Sequence, residues 1–225
     1  MIELRGVTVK YGDNTVYENF DFCFESGVNV VLGKSGCGKT TLLNVAANLV
    51  EYTGVCNNDG ESAVIFQTPT IVPVSVWKNV DLVLPKGNNT EKIKSALTLV
   101  GLEEMYNRHA PSLSGGEKQR LALAMAFASG RNVWLMDEPF SGLDYGTKVQ
   151  LRAVLDKLLQ LETKTVLFVT HDIDDALAIA DRIYILQNRP ATLTQVAEIQ
   201  LPRNVRAETD LQSLQMKKQL QQLLK

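Results

Sequence analysis

A glycine-rich stretch at residues 33–41 constrains this chain more than any other feature of its sequence. It has the pattern G-x-x-x-x-G-K-T, follows the apolar run 28–32 and precedes the helix-compatible run 42–47. In such a strand–loop–helix context, glycines let backbone N–H groups surround an anion, and the helix N-terminus adds its positive dipole end. The pattern predicts a phosphate-binding loop in which Lys39 neutralises the β- and γ-phosphates and the Thr40 hydroxyl holds Mg²⁺. The alternative is a glycine-rich turn with an incidental lysine.

Composition argues against several other functions. A chain of 225 residues, 45% of them hydrophobic, can bury a core, and a net charge of -2 gives no electrostatic reason to expect nucleic-acid binding. Three widely spaced cysteines (Cys23, Cys37 and Cys56) indicate neither a disulfide framework nor a zinc site. The first residues do not resemble a signal peptide, and no apolar run approaches the roughly 18 residues that span a bilayer. We therefore expect a cytoplasmic setting.

The order of strand and helix patterns predicts an α/β fold. Alternating apolar residues at 2–10 and 17–24 predict strands, whereas 51–60 is expected to be a short hairpin or loop and 64–66 a short strand. Buried strands predicted at 133–136, 165–170 and 183–186 alternate with helices at 149–161 and 173–180, as in a parallel sheet with right-handed crossovers.

Between these strands lies a region with helical patterns only. Helices are predicted at 74–84, 90–100 and 117–128, with Thr90 as an N-cap. We therefore expect a phosphate-loop NTPase core with a mostly parallel sheet, an N-terminal antiparallel β subdomain and an inserted α-helical subdomain. Within one domain, 1–67 and 131–202 form the core, 68–130 the insertion and 203–225 a helical tail. The leucines of that tail indicate an amphipathic helix, packed on its own domain or docked on a partner.

Further motifs follow the phosphate loop in a fixed order. They are Gln67 at a strand end, L-S-G-G-E-K-Q-R at 113–120, Asp137-Glu138-Pro139 after an apolar strand, S-G-L-D at 141–144, and His171. This set closely resembles the ATPase subunit of ATP-binding cassette (ABC) transporters, from Tyr11 to about Leu201. The string L-S-G-G-x-x-Q-R is particularly specific because other phosphate-loop ATPases lack it.

The resemblance implies a role for each motif. Asp137 would hold Mg²⁺ through its water shell, and Glu138 would act on the attacking water as general base or polariser. His171 would contact the γ-phosphate and orient Glu138, and Gln67 would reach Mg²⁺ and the attacking water. The implied catalytic residues are thus Glu138, His171, Gln67 and Lys39, and the implied metal ligands are Thr40, Gln67 and Asp137. The implied nucleotide-binding residues are Tyr11, which would stack on adenine, and Gly33, Lys34, Ser35, Gly36, Cys37, Gly38, Lys39, Thr40 and Thr41.

The resemblance also implies that the chain works as a dimer. Two cassettes pair head to tail, and the signature residues Ser114, Gly115, Gly116 and Gln119 of one close over the ATP of the other. Asp144 would lie at the interface between them. The expected cofactors are ATP and Mg²⁺. The expected partners are a second copy of the cassette, integral membrane permease subunits and an extracytoplasmic solute-binding protein, with no nucleic acid. The chain would sit peripherally on the cytoplasmic face of the cell membrane.

The sequence around His171 and the ending Leu201-Pro202-Arg203 are similar to importers of the nitrate, sulfonate and taurine group. Three positions depart from that group: no Trp adjoins Pro73, Ser141-Gly142 replaces Gly-Ala, and Met125 stands where Arg is frequent. We therefore expect an ATP-hydrolysing subunit that powers import of a small solute. The alternatives are an exporter subunit, a soluble cassette protein that acts on ribosomes or DNA, and a module that binds nucleotide without hydrolysis.

Overall fold

The computed structural model describes residues 1–58, 61–203, 206 and 211–224. They divide into two compact units. The first unit contains Met1–Ser62, Asn132–Glu138 and Thr163–Lys225, and the second contains Ala63–Arg131 and Pro139–Glu162. Neither unit contains, among its described residues, a helix that is both long and apolar enough to span a membrane.

The strands are β1 (Ile2–Tyr11), β2 (Asn14–Phe24), β3 (Gly27–Leu32), β4 (Thr53–Asn58), β5 (Ser62–Ile65), β6 (Val133–Asp137), β7 (Thr165–Thr170), β8 (Arg182–Gln187) and β9 (Thr192–Glu198). The helices are α1 (Lys39–Ala46), α2 (Val76–Asp81), α3 (Thr90–Leu99), α4 (Gly115–Ala128), α5 (Tyr145–Leu161), α6 (Ile173–Ile179) and α7 (Leu211–Leu223).

Two sheets form the first unit. In the smaller sheet, β1 pairs antiparallel with both β2 and β4. Phe20, Phe22 and Phe24 follow one another on one face of β2, with adjacent ring centroids 6.3 and 4.9 Å apart. This alternation places a row of aromatic rings on one face, with Phe20 and Phe24 buried, as the sequence pattern of β2 predicts.

The larger sheet places the functional motifs at one edge. Within the first unit its order is β6-β7-β3-β8-β9, and the pairs β6/β7, β7/β3 and β3/β8 are parallel. The central strands are buried along nearly their whole length, which explains their almost continuous apolar sequences. Because β3, β6 and β7 run in the same direction, the phosphate loop, Asp137 and His171 all follow the same ends of neighbouring strands. Such an edge is where ligands bind in open α/β sheets.

The second unit is mainly helical. Helix α4 packs on α2, α3 and α5, and the apolar face predicted from Ile93, Leu97 and Val100 is buried. Three of its helices begin at side-chain caps, and at α2 the Ser75 hydroxyl accepts from the backbone N–H of Lys78. Ser114 and Glu117 form a capping box at the start of α4, and Asp144 caps α5 by accepting from the backbone N–H of Thr147.

The predicted fold class is confirmed: the structure contains the mostly parallel sheet, the antiparallel β part and the helical insertion. Three local expectations were wrong. Residues 51–60 include strand β4, which the pairing with β1 stabilises despite its polar sequence. Thr90 is the first residue of α3 and not its N-cap, which is Asn89. Helix α2 is shorter than 74–84: it begins after its Ser75 cap and ends at Asp81.

The tail contains the predicted helix, α7, which packs on α6. Leu220 is buried, and the Lys217 ammonium forms an ion pair with Asp174 of α6. Residues 207–210, the beginning of the predicted tail, lie outside the described residues. The part of the tail that is described therefore packs on its own unit.

Candidate nucleotide-binding site

The phosphate loop joins the end of β3 to the start of α1. Helix α1 begins at Lys39, and Gly38 before it adopts a φ of 111°, which favours glycine. A Cβ at Gly38 would also lie 2.9 Å from Cγ1 of Val16. The Tyr17 hydroxyl donates a hydrogen bond to the Gly38 carbonyl at 2.9 Å. Strand β2 thus fixes the loop where its chain turns into the helix.

Lys39 is buried under the loop, with 7% of the residue exposed. Its Nζ donates to the carbonyl oxygens of Gly33 at 2.8 Å and Lys34 at 3.1 Å. Three donors on an ammonium leave capacity for a further acceptor beside these two bonds. The lysine therefore both shapes the loop and places a positive charge beneath the anion site.

A pocket of about 320 Å³ lies over the loop. Its lining residues are Tyr11, Asn14, Val16, Ser35, Gly36, Gly38, Lys39, Thr40, Thr41, Glu138 and Arg189. Tyr11 is 51% exposed at the end of β1, so its ring is accessible for stacking. The structure thus brings Tyr11, the phosphate loop and Glu138 to one cavity within the first unit.

Two oxygen side chains meet beside the loop. The Thr40 hydroxyl donates to Oδ1 of Asp137 at 3.5 Å, the limit of a hydrogen bond. Partial burial raises the pKa of Asp137 above its usual value, and the bond from Thr40 opposes that rise. An added divalent cation would favour the ionised carboxylate, so this pair is chemically suited to a hard metal ion.

Glu138 and His171 form the second polar pair. Nδ1 of His171 lies 3.0 Å from Oε2 of Glu138, and the Glu138 side chain is 19% exposed. The Glu138 backbone has a left-handed φ of 45°, and its N–H donates to the Val169 carbonyl at 2.9 Å. The turn after β6 therefore directs this carboxylate toward the residue that follows β7.

The second unit contains the remaining predicted residues. Nε2 of Gln67 donates to the Ser141 hydroxyl at 3.3 Å, and Nε2 of Gln119 donates to the Gln67 carbonyl at 3.0 Å. Gln119 is 4% exposed, so it holds the chain at Gln67 from inside this unit. A Cβ at Gly116 would lie 2.5 Å from Cγ2 of Thr147, so the start of α4 lies close to α5.

Comparison with known proteins identifies the family. The sequence profile described as ABC transporter matches residues 17–141, more than half of the chain. The chain belongs to the ABC transporter family. As an ABC ATPase it binds ATP, and ATP hydrolysis is its activity.

Relatives and solved structures agree with this assignment. The ABC ATPase is 37% identical over 214 residues to the aliphatic sulfonates import ATP-binding protein SsuB 1 of Pseudomonas savastanoi pv. phaseolicola, covering 93% of this chain and 89% of the relative. It is also 37% identical over 240 residues to an ABC transporter ATP-binding protein of Methanocaldococcus jannaschii, covering 100% and 88%. The structure of an ABC transporter of the metal-chelate type, in an inward-facing conformation, matches with a TM-score of 0.77 and 24% identity, over 96% of this chain and 88% of that one. That match shows the fold alone.

Sequence reasoning missed three residues of the pocket in this ABC ATPase: Asn14, Val16 and Arg189. Asn14 and Val16 belong to β2, which reaches the loop only through the pairing of the small sheet. Arg189 follows β8, a parallel neighbour of β3. Its place after a strand of the parallel sheet is a signal that could have identified it, because ligands bind at that edge.

Proposed function

We propose that this ABC ATPase powers the import of a small solute through separate transmembrane subunits. The observation that supports this most directly is one pocket containing the phosphate loop, Lys39 and Glu138, with His171 hydrogen-bonded to that glutamate. An intact carboxylate–histidine pair favours hydrolysis over a module that only binds nucleotide. The relatives named as import ATP-binding proteins favour uptake over export.

In this proposal Glu138 accepts a proton from the attacking water as that water forms its bond to the γ-phosphorus, while the bond from that phosphorus to the bridging oxygen breaks and ADP leaves. His171 donates from Nδ1 to Oε2 of Glu138, and this bond orients the carboxylate before the reaction. Lys39 neutralises the negative charge that the phosphoryl oxygens carry. The hydrogen bonds from Lys39 to two carbonyl oxygens already hold the loop in this shape, so its backbone does not need to move.

Mg²⁺ is the proposed cofactor, held by Thr40 and Asp137. Among the described residues there is no cluster of three or more His, Cys, Asp or Glu side chains that could hold a metal ion alone. This fits Mg²⁺, which usually keeps several waters and takes only one or two protein ligands beside substrate phosphates. Bound there, Mg²⁺ would neutralise charge on the β- and γ-phosphates. Gln67 is proposed as a further metal-contacting residue on its motif alone.

Two copies of the chain are proposed to pair head to tail. The signature Ser114–Gly116 precedes and opens the 14-residue helix α4, whose N-terminal dipole end favours an anion. In the proposed dimer it faces the γ-phosphate held by the partner cassette, and Asp144 lies near the interface. ATP would join the cassettes, and hydrolysis followed by release would separate them.

The proposed membrane partner docks on an apolar groove of the second unit. The groove is lined by residues including Phe66, Leu82, Val83 and Met125. Phe66 is 37% exposed and Leu82 is 53% exposed. Large apolar side chains exposed together in this way indicate a surface that contacts another molecule and not water alone. We assign it to a cytoplasmic segment of a permease subunit, which places the chain peripherally at the cytoplasmic face. A solute-binding protein would deliver the solute, and aliphatic sulfonates are the first class to test.

The experiment is purification of the tagged chain from membranes together with the permease subunits encoded beside it, followed by reconstitution in lipid vesicles. Import predicts that an aliphatic sulfonate and its binding protein stimulate ATP hydrolysis and that solute accumulates on the side of the membrane where the cassette lies, whereas export would deplete that side. The variant Leu82→Asp should abolish association with the membrane subunits while leaving ATP binding intact. Co-purification with ribosomes or DNA, and not with a membrane protein, would reject the transport proposal.

A further inference from the structure

Arg189 lies between two rims of the nucleotide pocket. Its Nη2 donates to the carbonyl oxygen of Gly36 in the phosphate loop at 2.5 Å, and its Nη1 donates to Oδ1 of Asn14 at 3.3 Å. Asn14 begins β2, opposite Tyr11 in the β1–β2 pairing. One guanidinium thus connects the expected phosphate side of the pocket to its expected adenine side.

The fold holds the backbone around Arg189 in place. The parallel pairing of β8 with β3 brings the end of β8 to the phosphate loop, where a Cβ on Gly33 would lie 2.7 Å from the Leu186 carbonyl oxygen. The Ala191 N–H donates to the Val16 carbonyl at 2.8 Å, which attaches the turn after β8 to β2. Nδ2 of Asn188 donates to Thr192 Oγ1 at 2.8 Å across the same turn.

The chemistry of the contact suits a loop that binds an anion. Such a loop points its N–H groups at the phosphates, which leaves some of its carbonyl oxygens to be satisfied elsewhere. Lys39 takes those of Gly33 and Lys34 from one side, and Arg189 takes that of Gly36 from the other. Arg189 remains exposed at the pocket wall, so its charge also adds to the positive potential there.

We propose that Arg189 is a positioning residue of the nucleotide site, which braces the phosphate loop against the β1–β2 turn and raises the affinity for nucleoside polyphosphates. This inference rests on the proposed assignment of the pocket to ATP. Arg189 acts in binding and not in the chemical step, because its two contacts are to protein groups at the rim. It therefore affects the dissociation constant and KM of ATP more than kcat.

The test compares Arg189→Ala, Arg189→Lys and a matched surface control, Arg5→Ala, whose side chain is 69% exposed and paired with Glu3. Kd for ATP and ADP is measured with a fluorescent nucleotide, and kcat and KM are measured with saturating Mg²⁺. For Arg189→Ala we expect Kd and KM to rise about tenfold, a loss of about 1.4 kcal/mol, with kcat changed less than about threefold, since the variant loses the hydrogen bond from a charged group to the loop. Arg189→Lys should recover part of the affinity, and Arg5→Ala should match the wild type.

A double-mutant cycle tests the bracing itself. Asn14→Ala should weaken ATP binding in the wild-type background and have little further effect in Arg189→Ala, because the bond between the two side chains is already lost. Additive effects of the two changes would overturn the bracing, and an unchanged Kd in Arg189→Ala would overturn the proposal. Lys39→Ala distinguishes a failure of the inference on Arg189 from a failure of the proposed function. If Lys39→Ala leaves ATP binding unchanged, the assignment of the pocket to ATP fails. If Lys39→Ala abolishes ATP binding while Arg189→Ala leaves Kd unchanged, only the role of Arg189 fails.

Discussion

Nδ1 of His171 lies 3.0 Å from Oε2 of Glu138, across the ends of two neighbouring parallel strands. The register that pairs Asp137 with Val169 fixes this separation, because Glu138 lies one position after Asp137 and His171 lies two positions after Val169. The rigid sheet, and not a flexible loop, therefore sets the geometry of the pair. A carboxylate held by a histidine in this way fits the proton-acceptor role that we propose for Glu138.

Glu138→Gln is expected to separate ATP binding from hydrolysis. The amide keeps the size of the side chain but cannot accept the proton of the attacking water, so turnover should fall roughly 10²- to 10⁴-fold while Kd for ATP stays near the wild-type value. The variant should also accumulate an ATP-bound dimer, which light scattering after size exclusion would detect as a doubling of mass. Turnover near wild type in the purified transporter would overturn the assignment of Glu138.

His171→Ala should reduce turnover by about 10²-fold with a small effect on ATP affinity, because Glu138 loses the donor that orients it. The other histidine of the chain, His109, is exposed in the second unit and provides the matched control. Steady-state phosphate release measures both variants. Equal activities of His171→Ala and His109→Ala would contradict the proposed role.

Much of this site could be predicted from the sequence because its motifs are local. The phosphate loop, the Asp137-Glu138 pair and His171 each follow an apolar strand, and the strand pattern alone places them at one sheet edge. Strand β9 escaped prediction, since its residues 192–198 are half-exposed and polar and become a strand by pairing with β8. Arg189 escaped for a related reason: its partners, Gly36 and Asn14, are more than 150 residues away in the chain. A contact between residues far apart in the chain produces no periodic pattern in the sequence around the residue that it positions.

Arg203→Ala should destabilise the first unit. Nη2 of Arg203 donates to both Asp181 oxygens at 2.6 Å and its Nε donates to the Ile179 carbonyl at 2.7 Å, with the arginine side chain 17% exposed. Removing this partner from a half-buried carboxylate should lower the free energy of unfolding by about 1–3 kcal/mol. Urea denaturation measures the loss, and Arg5→Ala, at an exposed pair, should lose less than about 1 kcal/mol. Equal losses of unfolding free energy in the two variants would show that the contact with Asp181 stabilises the fold no more than an exposed ion pair does.

Glu117→Gln should change how stability depends on pH. The Ser114 backbone N–H donates to the Glu117 carboxylate and is the main cause that holds its pKa below the usual value of 4.5. A carboxyl whose pKa is lower in the folded state stabilises the fold above its unfolded pKa, and this stabilisation disappears as pH falls through the folded pKa.

The wild type should therefore exceed Glu117→Gln by about 0.5–1 kcal/mol at neutral pH, since the neutral amide keeps a weaker capping bond. The difference should shrink below pH ~4.5. Urea denaturation at a series of pH values checks this, with the exposed Glu91 of α3 as the site of the control substitution Glu91→Gln. A difference that stays constant from neutral to acid pH would exclude the carboxylate as its source.

The left-handed backbone at Glu138 has a consequence for which sequences this fold can accept. A φ of 45° suits glycine or asparagine and costs a longer L side chain about 1 kcal/mol or more. Substitution of Glu138 by glycine or asparagine is therefore expected to raise stability while it removes the carboxylate. Selection for thermostability alone would remove the carboxylate. With the catalytic role proposed for Glu138, a cassette optimised only for folding would become an ATP-binding clamp without turnover.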